Sequence, residues 1–122
     1  MRLRLTTAVI LLALLGACGG SGLAAVEGPT SDVLELEATE MRFTPKTIAV
    51  AEGPVPVVLR NVGIVIHDLR IEGKPRFLVE AWPGQTGTAT WELSEGRYEI
   101  YCSIQGHRAA GMEGILEVRP AK

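Results

Sequence analysis

Three residues near the end of the chain carry soft or borderline metal-donor atoms at regular spacing. Cys102, His107 and Met112 form a Cys-x4-His-x4-Met pattern that lies between two apparent β-strands. A loop between two strands can fold back and bring a thiol, an imidazole and a thioether to one point. A lone cysteine is commonly just a small buried apolar residue. An unpaired thiol at a strand end, followed by two further donors, favours a metal site instead.

A fourth donor, His67, comes from a separate strand. The segment Ile64–Ile71 alternates so that Val65, His67, Leu69 and Ile71 share one face, which predicts an inward-pointing imidazole. Such a histidine is most often a core residue with hydrogen-bond partners. Here both histidines of the chain have a route to the same thiol. Two histidines and a cysteine with a weak axial methionine are the ligand set of a type 1 copper site.

The sequence predicts that the elements that position these donors are short strands separated by turns. Fourteen glycines and seven prolines favour a turn-rich chain over a helical bundle. Alternating apolar and polar residues predict strands over 33–38, 47–50, 55–60, 64–71, 77–81, 86–93, 97–102 and 114–119. Pro56 indicates a sheet edge or a strand start. The sequence therefore predicts an all-β sandwich or barrel of about seven to eight strands.

Composition excludes several other classes of protein. A net charge of −2 argues against nucleic-acid binding. Two cysteines exclude a dense disulfide scaffold and any four-cysteine zinc or iron–sulfur site. Two histidines exclude a three-histidine site, and both are already placed in the predicted copper site. The chain alone therefore lacks the ligands for a second copper centre, and we predict that it is not an enzyme.

The N-terminus predicts export and membrane attachment. Residues 1–17 combine a basic start, a short apolar run and small residues, as in a signal peptide. The run is shorter than the about 20 apolar residues that span a bilayer. Leu15-Gly16-Ala17-Cys18 resembles the bacterial lipobox, which implies cleavage before Cys18 and lipidation of its sulfur. Residues 18–31 then form the lipidated cysteine and a flexible tether, and residues 32–122 form one folded domain at the periplasmic or extracytoplasmic face.

Beyond the donors, the chain resembles the cupredoxin family of small blue copper proteins, similar to plastocyanin and azurin. The resemblance covers nearly the whole domain, and its strongest part is the loop from Tyr101 to Gly114. Other matching motifs are Met41-Arg42-Phe43-Thr44-Pro45 with Ile48, Val50 and Gly53, Asn61-Val62-Gly63 before His67, Pro83-Gly84, and Gly96-Arg97-Tyr98.

The resemblance implies a Greek-key β-sandwich that binds one copper ion through His67, Cys102, His107 and Met112. It implies a monomer that passes single electrons between redox protein partners, with His107 as the electron port and Ala109 and Ala110 lining an apolar patch. Two residues depart from the family pattern. Gln105 replaces a common proline, and Asp68 replaces a common asparagine whose backbone N–H hydrogen-bonds the cysteine sulfur. A copper-binding or delivery protein without a redox role is the alternative function.

Overall fold

The computed structural model describes residues 25–122, and in that range the chain is all-β. It contains nine strands: β1 (Leu34–Thr39), β2 (Arg42–Thr44), β3 (Thr47–Ala51), β4 (Gly53–Asn61), β5 (His67–Ile71), β6 (Lys74–Ala81), β7 (Thr86–Leu93), β8 (Gly96–Tyr101) and β9 (Glu113–Arg119). They form a four-stranded sheet in the order β2-β1-β4-β7 and a five-stranded sheet in the order β3-β9-β8-β5-β6. The predicted signal peptide and Cys18 lie outside the described residues.

The two sheets pack face to face through alternating apolar side chains. In β1, Leu34, Leu36 and Ala38 are fully buried, whereas Glu35 and Glu37 between them are exposed. In β7 the same alternation buries Trp91 and Leu93 and leaves the threonines exposed. Burying one large aliphatic side chain contributes roughly 1.5–3 kcal/mol. The predicted all-β sandwich is confirmed.

The order of strands in the larger sheet brings the predicted donors to one end. Strand β8 lies between β5 and β9 and is antiparallel to both. The end of β8 therefore lies beside the start of β5 and the start of β9. His67 opens β5, Cys102 follows the last residue of β8, and Met112 precedes the first residue of β9.

The predicted strand over 64–71 is wrong in its first half. Strand β5 begins only at His67, and Ile64 and Val65 are exposed. The buried Asn61 causes this, because its Nδ2 donates to the carbonyl oxygens of Val65 (2.7 Å) and Ala81 (2.9 Å). The residues before His67 are thereby held as a loop, so that Val65 does not share the inward face.

Two other elements differ from the predicted pattern. Strand β6 starts at Lys74 rather than at residue 77, and β2 is a three-residue strand that alternation over so short a span does not reveal. Pro56 lies inside β4, which has a neighbour on each side. Pairing of β4 with β1 begins only at Val57, so β4 has an edge at Pro56, where a missing N–H is tolerated.

Contacts with the sandwich begin before Asp32. Val26 is buried, its N–H donates to a carboxylate oxygen of Glu117, and its carbonyl oxygen accepts from Arg119. Ser31 forms a bridge with Val50 of β3. Within residues 25–122, no helix has the length and apolar character needed to cross a membrane.

Candidate metal centre

Three of the four predicted donors converge in a buried cluster at the end of the sandwich. The ligand atoms of His67, Cys102 and His107 all lie within 4.8 Å of one another. The Sγ of Cys102 lies 3.5 Å from Nδ1 of His107, and the two imidazole ring centroids are 5.1 Å apart. His67 and Cys102 are fully buried, and His107 is 8% exposed. Water is thus largely excluded from a space lined by two imidazoles and a thiol.

One nitrogen in this cluster is left without a partner. Nδ1 of His67 is buried and, among the described residues, has no hydrogen-bond partner. Buried polar atoms in proteins are nearly always paired, and an exception calls for an explanation such as a bound ion. The opposite ring nitrogen, Nε2, lies 3.3 Å from a carboxylate oxygen of Glu40. The arrangement leaves Nδ1 as a free metal donor, which fits a copper ion held by soft and borderline ligands.

The burial of the cluster disfavours charge on its members while no metal is bound. Burial lowers the pKa of His67, and the hydrogen bond that its ring makes to the Glu40 carboxylate opposes that shift only in part. Burial also raises the pKa of Cys102 to about 11, against smaller lowering effects from the backbone N–H groups of Asp68 and Ile104. At neutral pH the cluster therefore holds a neutral His67 imidazole and a protonated Cys102 thiol. A metal ion must displace the thiol proton when it binds.

Backbone hydrogen bonds hold Met112 close to Cys102. Its carbonyl oxygen accepts from the N–H of Cys102 (3.1 Å), and its own N–H donates to the carbonyl oxygen of His107 (3.0 Å). The Met112 side chain is fully buried. The loop between β8 and β9 is thus closed on itself, and the role of Met112 as axial ligand stays a prediction.

Asp68 joins β5 to the loop that carries the thiol. Its N–H lies 3.5 Å from Sγ of Cys102, as the resemblance to cupredoxins predicted. Its carboxylate accepts from the N–H of Ser103 at 2.6 Å, and this side chain is buried. Arg70 contacts both the Asp68 carboxylate and the Ser103 hydroxyl. The residue after the thiol is therefore fixed to the strand that carries His67.

Arg108 anchors the other side of the same loop. Its guanidinium contacts the carboxylates of Glu72, Glu99 and Glu113, and it lies over the ring of Tyr101 at 4.2 Å from the centroid. These three carboxylates come from the β5–β6 turn, β8 and β9. The residue beside His107 is thus tied to three parts of the larger sheet.

Gln105 stands in a turn that hydrogen bonds define. The N–H of His107 donates to the carbonyl oxygen of Ile104 (3.0 Å), and Gly106 adopts a φ of 83°, which glycine accommodates readily. The loop therefore has a defined turn without the proline that is common in relatives.

Sequence patterns missed the residues that support the donors. Glu40 contacts His67, and Ser103 contacts Asp68, which follows His67. Arg108, which follows His107, contacts Glu72. Each contact joins residues that are far apart in the chain. The glycine at position 63 is a sequence feature connected with Glu40, but it does not by itself point to that residue. A Cβ atom there would lie 2.1 Å from the Glu40 Oε1 atom.

Taken together, the two-sheet sandwich has a cupredoxin-like fold, and the His–Cys–His cluster at its end fits one type 1 copper ion. Among solved structures, the chain is similar to dithionite-reduced auracyanin from the photosynthetic bacterium Roseiflexus castenholzii, with a TM-score of 0.66 and 20% identity. The match covers 75% of this chain and 100% of that chain. At this identity the similarity concerns the fold. No family model and no curated protein matches the sequence.

The raised pKa of Cys102 predicts a pH-dependent contribution to the stability of the metal-free protein. The thiol titrates near its usual value of 9 in the unfolded chain and at about 11 in the folded chain. Ionisation therefore favours the unfolded chain first, and the contribution is full below pH 9 and is lost as pH rises through 11. Denaturant unfolding of the wild type and of Cys102→Ser, compared from pH 7 to 11, should show the difference in stability declining over that window. A pH-independent difference would contradict the shift.

Proposed function

We propose that this protein is a membrane-tethered carrier of single electrons that binds one copper ion through His67, Cys102, His107 and Met112. The observation that supports this most directly is the buried three-donor cluster, in which His67 comes from β5 and both Cys102 and His107 come from the loop between β8 and β9 of the same sheet. Copper supplies the chemistry by cycling between Cu(II) and Cu(I). The auracyanin structure was obtained in a dithionite-reduced form, which is consistent with redox activity in a protein of this fold.

Fixed donors suit electron transfer because Cu(I) and Cu(II) prefer different coordination geometries. A site that rearranged at each transfer would add a reorganisation barrier. Here His67 is held by strand pairing with Ala81. The N–H of Cys102 donates to the carbonyl oxygen of Met112, and its Sγ accepts from the N–H of Asp68. The donors are therefore restrained by the sandwich itself, and we expect little rearrangement between the two oxidation states.

The surface around His107 supports its role as the electron port. Among the three clustered donors, His107 alone retains measurable exposure, and Ala109 and Ala110 beside it are exposed. Ile64 and Trp82, at the same end of the sandwich by strand order, are also exposed. These exposed apolar side chains give a redox protein an uncharged contact area close to His107.

Two measurements on the purified protein test the copper assignment. Addition of Cu(II) should produce the intense thiolate-to-copper absorption band of a blue copper protein, and Cys102→Ala should abolish it because the thiolate is lost. Cys18→Ala is the matched control, since it removes the other cysteine of the chain and should retain the band. A band that survived in Cys102→Ala would refute the assignment. Stopped-flow electron exchange with a cytochrome then distinguishes a carrier from a delivery protein, which would instead pass copper rapidly to a chelator.

A second variant tests the axial position. Met112→Leu conserves volume in the core, and such exchanges usually cost less than about 1.5 kcal/mol of stability. It should keep the blue band, because the thiolate remains, and it should raise the reduction potential. The reason is that leucine offers no lone pair and makes the site more apolar, which disfavours the more highly charged Cu(II). Redox titration measures the potential, and an unchanged value would remove Met112 from the ligand set.

The tether is proposed from the sequence around Cys18. Lipidation at this residue would hold the copper domain at the extracytoplasmic face of a membrane, within reach of redox partners in the same bilayer. Several acyl chains bind stably, because each buried CH₂ contributes about 0.8 kcal/mol. Mass spectrometry of the mature protein should show a chain that begins at Cys18 and carries lipid. An unmodified Cys18 would show that the protein is secreted without this anchor.

A further inference from the structure

Glu40 lies in the turn between β1 and β2 and reaches across to the loop that precedes His67. A single carboxylate oxygen, Oε1, accepts from the N–H of Ile64 (2.8 Å) and the N–H of Val65 (3.3 Å). The same oxygen lies 3.3 Å from Nε2 of His67. Three nitrogen atoms from one short segment therefore form hydrogen bonds to one carboxylate oxygen, and the segment ends at His67, a candidate copper ligand.

The approach of this carboxylate depends on glycine at position 63. A Cβ atom at Gly63 would lie 2.1 Å from Oε1 and 2.8 Å from the carboxyl carbon of Glu40. Both separations are shorter than any non-bonded contact allows. The N–H of Gly63 donates to Oδ1 of Asn61 at 2.9 Å, which fixes the backbone at this point. The absence of a side chain at Gly63 leaves room for the Glu40 carboxylate, and the hydrogen bond to Asn61 holds the loop backbone close to it.

The contact decides which ring nitrogen of His67 carries hydrogen. An ionised carboxylate only accepts hydrogen bonds, so Nε2 must be the protonated nitrogen of the neutral ring. Nδ1 then bears the lone pair, and Nδ1 is the buried atom that has no hydrogen-bond partner within residues 25–122. The tautomer that Glu40 selects is therefore the one that offers a lone pair inside the cluster of His67, Cys102 and His107.

We propose that Glu40 is a positioning residue that fixes the Nε2–H tautomer and ring orientation of His67 and strengthens its Nδ1 as a donor to copper. A carboxylate behind an imidazole raises the basicity of the imidazole, which favours Cu(II) over Cu(I). The effect on copper rests on the proposed function, whereas the effect on the tautomer is a property of the metal-free protein.

A purely structural role for Glu40 would be to satisfy the N–H groups of Ile64 and Val65. The two roles predict different results, because Ile64 and Val65 are exposed and water can replace the carboxylate there. His67 is fully buried and has no such access. Loss of the carboxylate should therefore leave the loop folded and change the histidine.

Three variants separate the charge of Glu40 from its hydrogen bond. Glu40→Gln removes the charge and keeps a carbonyl oxygen that can accept from Nε2–H. Glu40→Ala removes both the charge and the acceptor. Gly63→Ala keeps the charge and displaces the carboxylate. Glu37→Gln is the matched control, because it removes one negative charge from an exposed position on β1, the strand that leads to Glu40.

The first readout is the ¹⁵N NMR spectrum of the histidine rings in metal-free protein at pH 8. The wild type, Glu40→Gln and Glu37→Gln should show His67 as a single Nε2–H tautomer. Glu40→Ala and Gly63→Ala should lose that single form. Retention of the pure Nε2–H tautomer in Glu40→Ala would overturn the proposal, and so would its absence from the wild type.

The second readout is the affinity for Cu(II) and Cu(I) together with the reduction potential. Removing a hydrogen-bond partner of a ligand typically weakens metal binding 10–100-fold. In Glu40→Gln we expect Cu(II) binding to weaken about tenfold and Cu(I) binding to change little, which equals a rise in potential of about 59 mV for one electron. A potential no different from that of Glu37→Gln would overturn the strengthening of Nδ1. If the wild type failed to bind copper, the proposed function would fall, and the tautomer measurement would still decide the role of Glu40 in positioning His67.

Discussion

The structure depends on the burial of a thiol and two imidazoles in a common space from which water is largely excluded. Each of these groups would be hydrated in the unfolded chain, and burial without partners carries a penalty of about 1–3 kcal/mol for each unsatisfied polar group. In the part of the chain that the structure describes, Nδ1 of His67 has no hydrogen-bond partner, so the surrounding residues do not fully compensate this penalty. A metal ion does compensate it, since it supplies the electron-pair acceptor that the nitrogen and the thiolate lack. The sandwich therefore holds a site in a form that binding of copper would stabilise.

The backbone maintains this arrangement through strand pairing, and the side chains complete it. Antiparallel pairing of β8 with β5 and β9 places the ends that carry the donors side by side. Asp68 then fixes Ser103 on one side of the ligand loop, and Arg108 fixes the other side. An exposed ion pair of Arg108 would contribute at most about 1 kcal/mol. The three carboxylates around the Arg108 guanidinium matter more for positioning than for stability, because they leave the residue beside His107 little freedom to move.

The sequence predicted the donors better than it predicted their support, and the reason is the range of the interactions involved. Cys102 and His107 could be found because both lie in one loop, and His67 could be found because it alternates with Leu69 and Ile71. Glu40 could not be found in this way, because its contact with His67 spans 27 residues and depends on how two separate turns meet. The start of β5 was misplaced for a related reason. Alternation continues back to Ile64, but the tertiary hydrogen bonds of Asn61 override it.

Two groups of Asp68 shift the pKa of the Cys102 thiol in opposite directions. Its backbone N–H stabilises a thiolate at Cys102 and lowers the pKa of the thiol, whereas its carboxylate raises that pKa by repulsion. Burial exceeds either contribution, so the pKa stands above its usual value. With copper bound, the Asp68 N–H would withdraw electron density from the sulfur and favour Cu(I), whereas the Asp68 carboxylate would favour Cu(II). Arg70, in contact with the Asp68 carboxylate, offsets part of that second effect. An aspartate at this position can therefore hold the loop through Ser103 while the neighbouring arginine limits the influence of its charge on the metal.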